Sequence, residues 1–502
     1  MRKIPILHPF LFTAYPVVAF LAHNIEQTEI NSALRPLLVG LASAAILYIL
    51  LKAVYRDNHR AGLLTSFLLI LFFTYGHVYN AIEGFSILGM NIGRHRLLAP
   101  LWMALAGFSF WRGFQSRRDL QPLSNRANII ALIALTMPLG QISAYQISLR
   151  SVRIGSANSK VFSSAQIDPN RPLPDIYYLI LDSYSRDDML KKYYDLDNTP
   201  FIDQIEQMGF YVARCAQSNY GQSELSMASS LNYDYLDNLG RQFNPENRRR
   251  TGLADLIQHS AVRSLLEDLG YTVVATDTGY DATRLSDADI YLAPLVSAEI
   301  NDFEETFLRT TAARLFIEGA AILKLPPDWE KRDQAHRERI LFQLEQLRQI
   351  PAIPGPKFVF AHIITPHWPY IFGPNGEPVH EHPDSKTGYR DQVIFINRQI
   401  VPILENILAT SEIPPIIVIQ GDHGAVLVDP KRRMSILNAY YLPDGGDALL
   451  YEGISPVNTF RLIFNHYFGL QVPLLDDVSY YSSYEEPYNY QLVENQRKGC
   501  ND

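Results

Sequence analysis

Four places along the chain carry residue types that do chemistry together. Leu181-Asp182-Ser183 sets a carboxylate directly after the apolar run Ile176–Leu181. Gln420-Gly421-Asp422-His423-Gly424 sets a second carboxylate and an imidazole after the run Ile416–Ile419. The flanking glycines permit a tight turn and close approach. Oxygen plus imidazole suits Zn²⁺ or Mn²⁺ better than Ca²⁺. Ser223 opens the helix-like run Ser223–Leu231. It reads either as a helix cap or as a hydroxyl at a helix amino terminus, where a nearby cation would let it ionise and attack phosphorus. Ser226, Ser229 and Ser230 read as helix surface or packing. The fourth place is His362-Ile-Ile-Thr-Pro-His367-Trp-Pro. The odd spacing of its histidines would point them to opposite faces of a continuing strand. His367, in a loop between Pro366 and Trp368, is placed to bind a phosphate or protonate a leaving group. His362 reads as a core histidine.

These residues need elements to hold them on one rim. Short continuous apolar runs at Ile176–Leu181, Gly209–Ala213, Tyr271–Ala275, Phe358–Ile364 and Ile416–Ile419 fit strands buried on both faces. Helical patterns alternate with them at Thr199–Met208, Ser260–Leu269, Gln334–Gln349 and Gln392–Thr410. The alternation implies an α/β fold with a mainly parallel central sheet. Ligands of such sheets sit beyond the carboxyl ends of the strands, where Asp182 and Asp422 fall.

The first part of the chain is different. The 502 residues have a net charge of −8, but residues 1–150 sum to +8 and residues 151–502 to −16. Five apolar stretches, 5–23, 34–52, 61–80, 97–113 and 127–146, are each near the length of a bilayer crossing. Lys and Arg in the short connections fall nine on one side and three on the other, which puts the amino terminus in the cytoplasm. Five crossings then put everything after residue 150 outside; a cleaved signal peptide in place of the first crossing gives the same result. The expected domains are an all-α transmembrane domain of five helices at 1–147, a linker at 148–173 and an extracytoplasmic α/β domain at 174–502. The acidic balance excludes a basic nucleic-acid binder. Two cysteines, Cys215 and Cys500, exclude a disulfide scaffold and a cysteine-based zinc module, and leave one bridge open.

Asp182, Ser223, the His-x-Pro at His367 and the Asp422-His423-Gly424 turn, in this order, resemble the sulfatase-like branch of the alkaline phosphatase superfamily. The membrane layout is similar to that of lipoteichoic acid synthases and lipid A phosphoethanolamine transferases. The resemblance implies a sulfatase/alkaline-phosphatase-like C-terminal domain. It implies one divalent metal ion, Zn²⁺ or Mn²⁺ with Mg²⁺ as the alternative, held by Asp182, Asp422, His423 and Ser223. Ser223 would be both ligand and nucleophile, and His367 would contact the phosphate. Those transferases usually carry threonine where this chain has Ser223. The Cys/Ser-x-Pro-x-Arg signal for formylglycine is absent, since Glu-Leu-Ser-Met follows Ser223, and this disfavours sulfate-ester hydrolysis.

The implied function is transfer of a phosphoethanolamine- or phosphoglycerol-type head group from a phospholipid donor to an envelope acceptor through phospho-Ser223. The alternatives are a phosphodiesterase with the same site, or an envelope scaffold without activity. Leu437–Pro443 and Ser455–Arg461 read as sheet edge and packing, and the Tyr-rich Tyr480–Tyr490 as a packed extension or an interaction segment.

Overall fold

The computed structural model describes residues 5–25, 28, 30–83, 86–87, 90–91, 94–115, 119–156, 173–250, 252–294, 302–322, 328–379, 382–425, 430–495, 497 and 500. The chain divides into two compact units, residues 1–148 with 298–328, and residues 149–297 with 329–502. Most of the expected linker, residues 157–172, lies outside the described residues.

Up to residue 156 the described residues of the chain form five long helices: α1 His8–Asn24, α2 Leu34–Tyr55, α3 Asn58–Ile82, α4 His95–Gln115 and α5 Gln121–Ser156. Each expected apolar stretch forms one of them, and α5 runs past the stretch that predicted it. By length and composition α2, α3 and α5 can cross a membrane. A polar knot ties α1 to α3 and α5: the His8 ring meets Ser66 Oγ at 2.6 Å and Ser124 Oγ at 3.0 Å, and Asn128 Oδ1 accepts from the His8 amide at 2.8 Å. Such bonds hold helices together where apolar contact cannot discriminate between helix and lipid. The segment open to reading as a leader is thus a packed member of the bundle.

The second unit is built on a seven-stranded sheet. In chain order its elements are β1 Ile176–Leu181, β2 Tyr211–Val212, α6 Ser223–Leu231, β3 Thr272–Thr276 and β4 Ile290–Leu292. The chain then enters the first unit as α7 Asp302–Arg309 and α8 Arg314–Ile322. It continues as α9 Asp328–Gln349, β5 Lys357–Ile363, α10 Ser385–Thr410, β6 Ile416–Gln420, β7 Asn438–Tyr441 and α11 Pro456–Phe468. Strand order is β2-β7-β6-β1-β5-β3-β4. Neighbours from β6 to β4 run parallel, and β7 is antiparallel to both β6 and β2.

Two buried clusters cover the sheet. Alternate residues of β1 divide between them, Ile176, Tyr178 and Ile180 on one face and Tyr177, Leu179 and Leu181 on the other. This two-sided burial is why the strands read as continuous apolar runs. Helix α10 is also long and apolar enough to cross a membrane, yet it packs on the second face through Val393, Ile396, Ile400 and Leu404. The sequence segment Leu437–Pro443 is not at the sheet edge: it forms β7, next to the last strand.

Candidate active site

Strand register assembles the site. β1 lies between β6 and β5, with Ile180 opposite both His362 and Gln420. All three strands point the same way, so the residues at and just beyond their ends share one rim. Asp182 therefore stands between His362 and Asp422. Oxygens of Asp182 and Asp422 and a ring nitrogen of His362 lie within 4.8 Å of one another, and all three residues are buried.

The glycines of the Asp422 turn are required by space. A Cβ on Gly421 would lie 2.5 Å from the Tyr184 carbonyl oxygen, and one on Gly424 2.7 Å from that of Ser435. The turn gives Asp422 Oδ1 two amide donors, Ser183 at 2.9 Å and His423 at 2.8 Å. Its Oδ2 is buried without a hydrogen-bond partner. Asp182 Oδ1 accepts from Ser183 Oγ at 2.9 Å. Its Oδ2 is 3.2 Å from His362 Nε2, which is buried and makes no hydrogen bond. His362 Nδ1 meets Thr283 Oγ1 at 2.9 Å.

Burial raises the Asp182 carboxyl, but His367, His362 and His423 outweigh it and hold the group below the usual carboxylate range. Burial and the facing Arg433 guanidinium push His423 down to about 4. The imidazole is thus neutral, as a metal ligand must be. If its Nδ1–H donates to Gly424 O at 3.0 Å, the lone pair is on Nε2. Ser223 Oγ is 3.2 Å from that Nε2, and Arg433 Nη2 is 2.8 Å from it. His423 Nε2 is also 3.5 Å from Asp422 Oδ2 and 4.0 Å from Asp182 Oδ1.

Ser223 is the first residue of α6, and Gln222 holds the cap position. The hydroxyl is therefore not spent on capping the helix. Its neighbours are held by Arg250, which donates to Glu224 Oε2 at 2.8 Å and to Gln222 Oε1. Gln222 Nε2 donates in turn to the carbonyls of Ser482 at 3.0 Å and Ser483 at 3.1 Å, and the Tyr484 ring covers Arg250 at 4.1 Å. The Tyr-rich tail thus forms a wall beside Ser223. Cys215 and Cys500 form a disulfide near its end.

Asp182, Ser223, Asp422 and His423 are linked through His423 Nε2, while the donor atoms that lie within 4.8 Å of one another are those of Asp182, His362 and Asp422. His367 lies on the loop after β5, close enough to act on the Asp182 carboxyl, and its Nδ1 is 2.5 Å from Trp368 O. Among the described residues no hydrogen bond joins it to the other four. His362, a core histidine by its sequence, is buried in β5 with its ring against Asp182, and Arg433 carries no sequence signal for the site. The alternation rule for His362 and His367 does not apply, because β5 ends at Ile363 and the chain turns before His367. Arg433 lies in Lys431-Arg432-Arg433, a run that reads as solvated surface; its Nε is buried and unpartnered. Arg461 is committed elsewhere, donating to the carbonyls of Tyr233 and Pro473, both at 2.6 Å.

The donor set fits a divalent cation. Asp422 Oδ2 and His362 Nε2 are costly to leave unpaired in a buried site, and both are ligand atoms for such an ion.

No protein-family model matches the chain, and no curated protein matches it. Solved structures do. The chain is similar to the C-terminal periplasmic domain of EptC from Escherichia coli in complex with Zn, at 11% identity and a TM-score of 0.46, over 68% of this chain and 98% of that one. It is similar to the lipoteichoic acid synthase LtaP from Listeria monocytogenes, at 11% identity and a TM-score of 0.39, over 67% and 82%. It is also similar to the integral membrane lipooligosaccharide phosphoethanolamine transferase A from Neisseria meningitidis, at 10% identity and a TM-score of 0.36, over 90% and 94%. These are the kinds of protein that the sequence motifs resemble.

Proposed function

We propose that the chain is a membrane-embedded, metal-dependent transferase. It moves a phosphoethanolamine- or phosphoglycerol-type head group from a phospholipid to an envelope acceptor through a phospho-Ser223 intermediate. One observation carries the reading. The Ser223 hydroxyl heads α6 and faces His423 Nε2 at 3.2 Å, beside a buried carboxylate pair with an unpartnered oxygen.

Asp182, Asp422, His423 and Ser223 would hold the ion, with His362 completing the set from β5. The oxygen and imidazole donors favour Zn²⁺ or Mn²⁺. The bound cation would lower the pKa of the Ser223 hydroxyl and neutralise charge on the phosphoryl group. Ser223 gives up its proton to solvent water, its Oγ attacks phosphorus, and the bond to the diacylglycerol oxygen breaks. Protonated His367 delivers a proton to that departing oxygen. The free amides of the first turn of α6 and the Arg433 guanidinium hold the non-bridging oxygens. In the second half the acceptor hydroxyl passes its proton to His367 and attacks phosphorus, the bond to Ser223 Oγ breaks, and the serine recovers a proton from water. The basic residues flanking the helices place the amino terminus in the cytoplasm and the α/β unit, from about residue 174, outside.

The test is the full-length protein with a defined phospholipid mixture and Zn²⁺ or Mn²⁺. Mass spectrometry should find a head-group phosphoryl adduct on Ser223, with diacylglycerol released. Ser223→Ala should keep its metal and lose the adduct. Unchanged turnover in that variant would reduce Ser223 to a structural role. Release of free head-group phosphate with no acceptor product would make the enzyme a phosphodiesterase.

A further inference from the structure

A segment interrupting the α/β unit in sequence belongs to the helical unit in space. After β4 the chain enters that unit at about residue 298 and leaves it at 328. The helices α7 and α8 within it lie against one end of the bundle, the end formed by the carboxyl ends of α1 and α3 and the amino ends of α2 and α4. Phe303 and Phe307 of α7 stack with Phe20 of α1 at 5.0 and 5.5 Å, and Phe307 lies 6.0 Å from Phe73 of α3. Leu315 of α8 packs with Tyr75, Tyr79 and Leu98. The turn between α7 and α8 sits on Gly76: a Cβ there would collide with the Arg309 and Thr310 backbone, and the Ala312 amide donates to Phe72 O at 2.8 Å.

From residue 303 to 318 the charges of this segment are neutralised within the helical unit. Five charged side chains lie between residues 303 and 318, and each is in an ion pair. Glu304 holds Arg35, Glu305 holds Arg309 at 2.8 Å, and Glu318 holds both Arg314 at 2.5 Å and His95 at 2.6 Å. Arg314 also stacks on Tyr79 at 4.1 Å, and the other ring nitrogen of His95 meets Tyr75 OH at 2.8 Å. Full pairing is what a low-dielectric setting demands of charge and what an aqueous surface does not. One large apolar side chain faces away from this packing: Phe316 is 80% exposed. On α4, whose Leu98 packs in the same cluster as Leu315 of α8, Leu97 and Leu101 are exposed as well. Tyr75, Tyr79 and Trp102, which pack in the same cluster as Leu315, are the residue types of a membrane–water interface.

We infer that α7 and α8 lie in the lipid–water interface of the bilayer, with Phe316 seated among the acyl chains. The occupant of this face is lipid, because the segment is part of the apolar helical unit, Phe316 presents its ring outward, and the charged side chains from 303 to 318 are already paired. The inference rests on the membrane-embedded part of the proposal above, and the experiment separates the two.

The native cysteines are consumed by the disulfide, so Phe316→Cys, Ile46→Cys and Tyr484→Cys each offer one thiol to an environment-sensitive fluorophore. Ile46 is exposed on α2, Tyr484 is exposed in the α/β unit, and none of the three is core. Each full-length protein is reconstituted in vesicles of phosphatidylethanolamine and phosphatidylglycerol. Quenching is read with a nitroxide carried shallow on a lipid chain and, separately, with aqueous iodide. The label at 316 should be quenched by the lipid nitroxide severalfold more than the label at 484, approaching the label at 46, with iodide giving the reverse order. A label at 316 that follows 484 while 46 follows lipid overturns the interfacial segment and leaves the membrane reading standing. A label at 316 shielded from both quenchers overturns it too. Quenching of 46 by iodide alone removes the membrane reading itself.

Discussion

Asp422 presents two oxygens in different situations. Oδ1 is locked by the amides of Ser183 and His423, and Oδ2 is buried without a partner. Asp422→Ala should leave the domain folded and abolish metal binding by elemental analysis, and full occupancy in that variant would remove the residue from the site. His362 makes a sharper test, because only strand register brings it there. His362→Ala should weaken Zn²⁺ or Mn²⁺ binding about 10–100-fold by calorimetric titration, while Arg433→Ala should leave the affinity close to wild type and lower turnover. Away from the site, burial raises the Asp277 carboxyl, but Arg339, Arg284, Tyr291 and the Gly279 amide outweigh it and hold the group below its ordinary value. A depressed carboxylate contributes stability above its unfolded-state pKa and loses it as pH falls through the folded-state value. Asp277→Asn should therefore lose less stability than wild type between about pH 6 and about pH 3, read from urea midpoints.

At the scale of elements, the three strand ends and one helix start do the positioning. Gly421→Ala puts a methyl 2.5 Å from the Tyr184 carbonyl and must move the Asp422 turn. The expected cost is about 1–3 kcal/mol in chemical denaturation, with metal affinity falling in parallel. A variant with wild-type affinity would show that the turn tolerates the shift. The strands at Ile176–Leu181 and Ile416–Gln420 are legible because burial on both faces leaves an unbroken apolar run. β4 and β7 escape that signal: Ile290–Leu292 is a partly exposed edge, and Asn438–Tyr441 carries a polar start and tyrosines. His362 is the buried strand histidine that the sequence suggests, and only strand register adds that it faces Asp182. Its strand is correctly placed, but the alternation argument extended it past Ile363, where the chain leaves the sheet.

Over the whole molecule, the tail returns to the site and the disulfide fastens it. Cys215 and Cys500 are 285 residues apart in sequence, so their bond closes a very long loop. Cys500→Ser should lower stability by about 2–5 kcal/mol. It should also reduce turnover with metal retained, because Ser482 and Ser483 hold Gln222 beside Ser223. Thermal unfolding and elemental analysis on the same sample check both; an unchanged midpoint would mean that the tail's other bonds suffice. The five apolar helices up to residue 156 and the α/β class were legible in the sequence itself, whereas the quartet Asp182, Ser223, Asp422 and His423 rests on the motif resemblance. The helices and the α/β class are local signals: a run of bilayer length and a strand buried on both faces. The place of His362, Arg433, the tail wall and the α7–α8 segment was decided only by the tertiary structure. Their positions depend on which strands become neighbours and where distant chain returns, and no local pattern of residues encodes either.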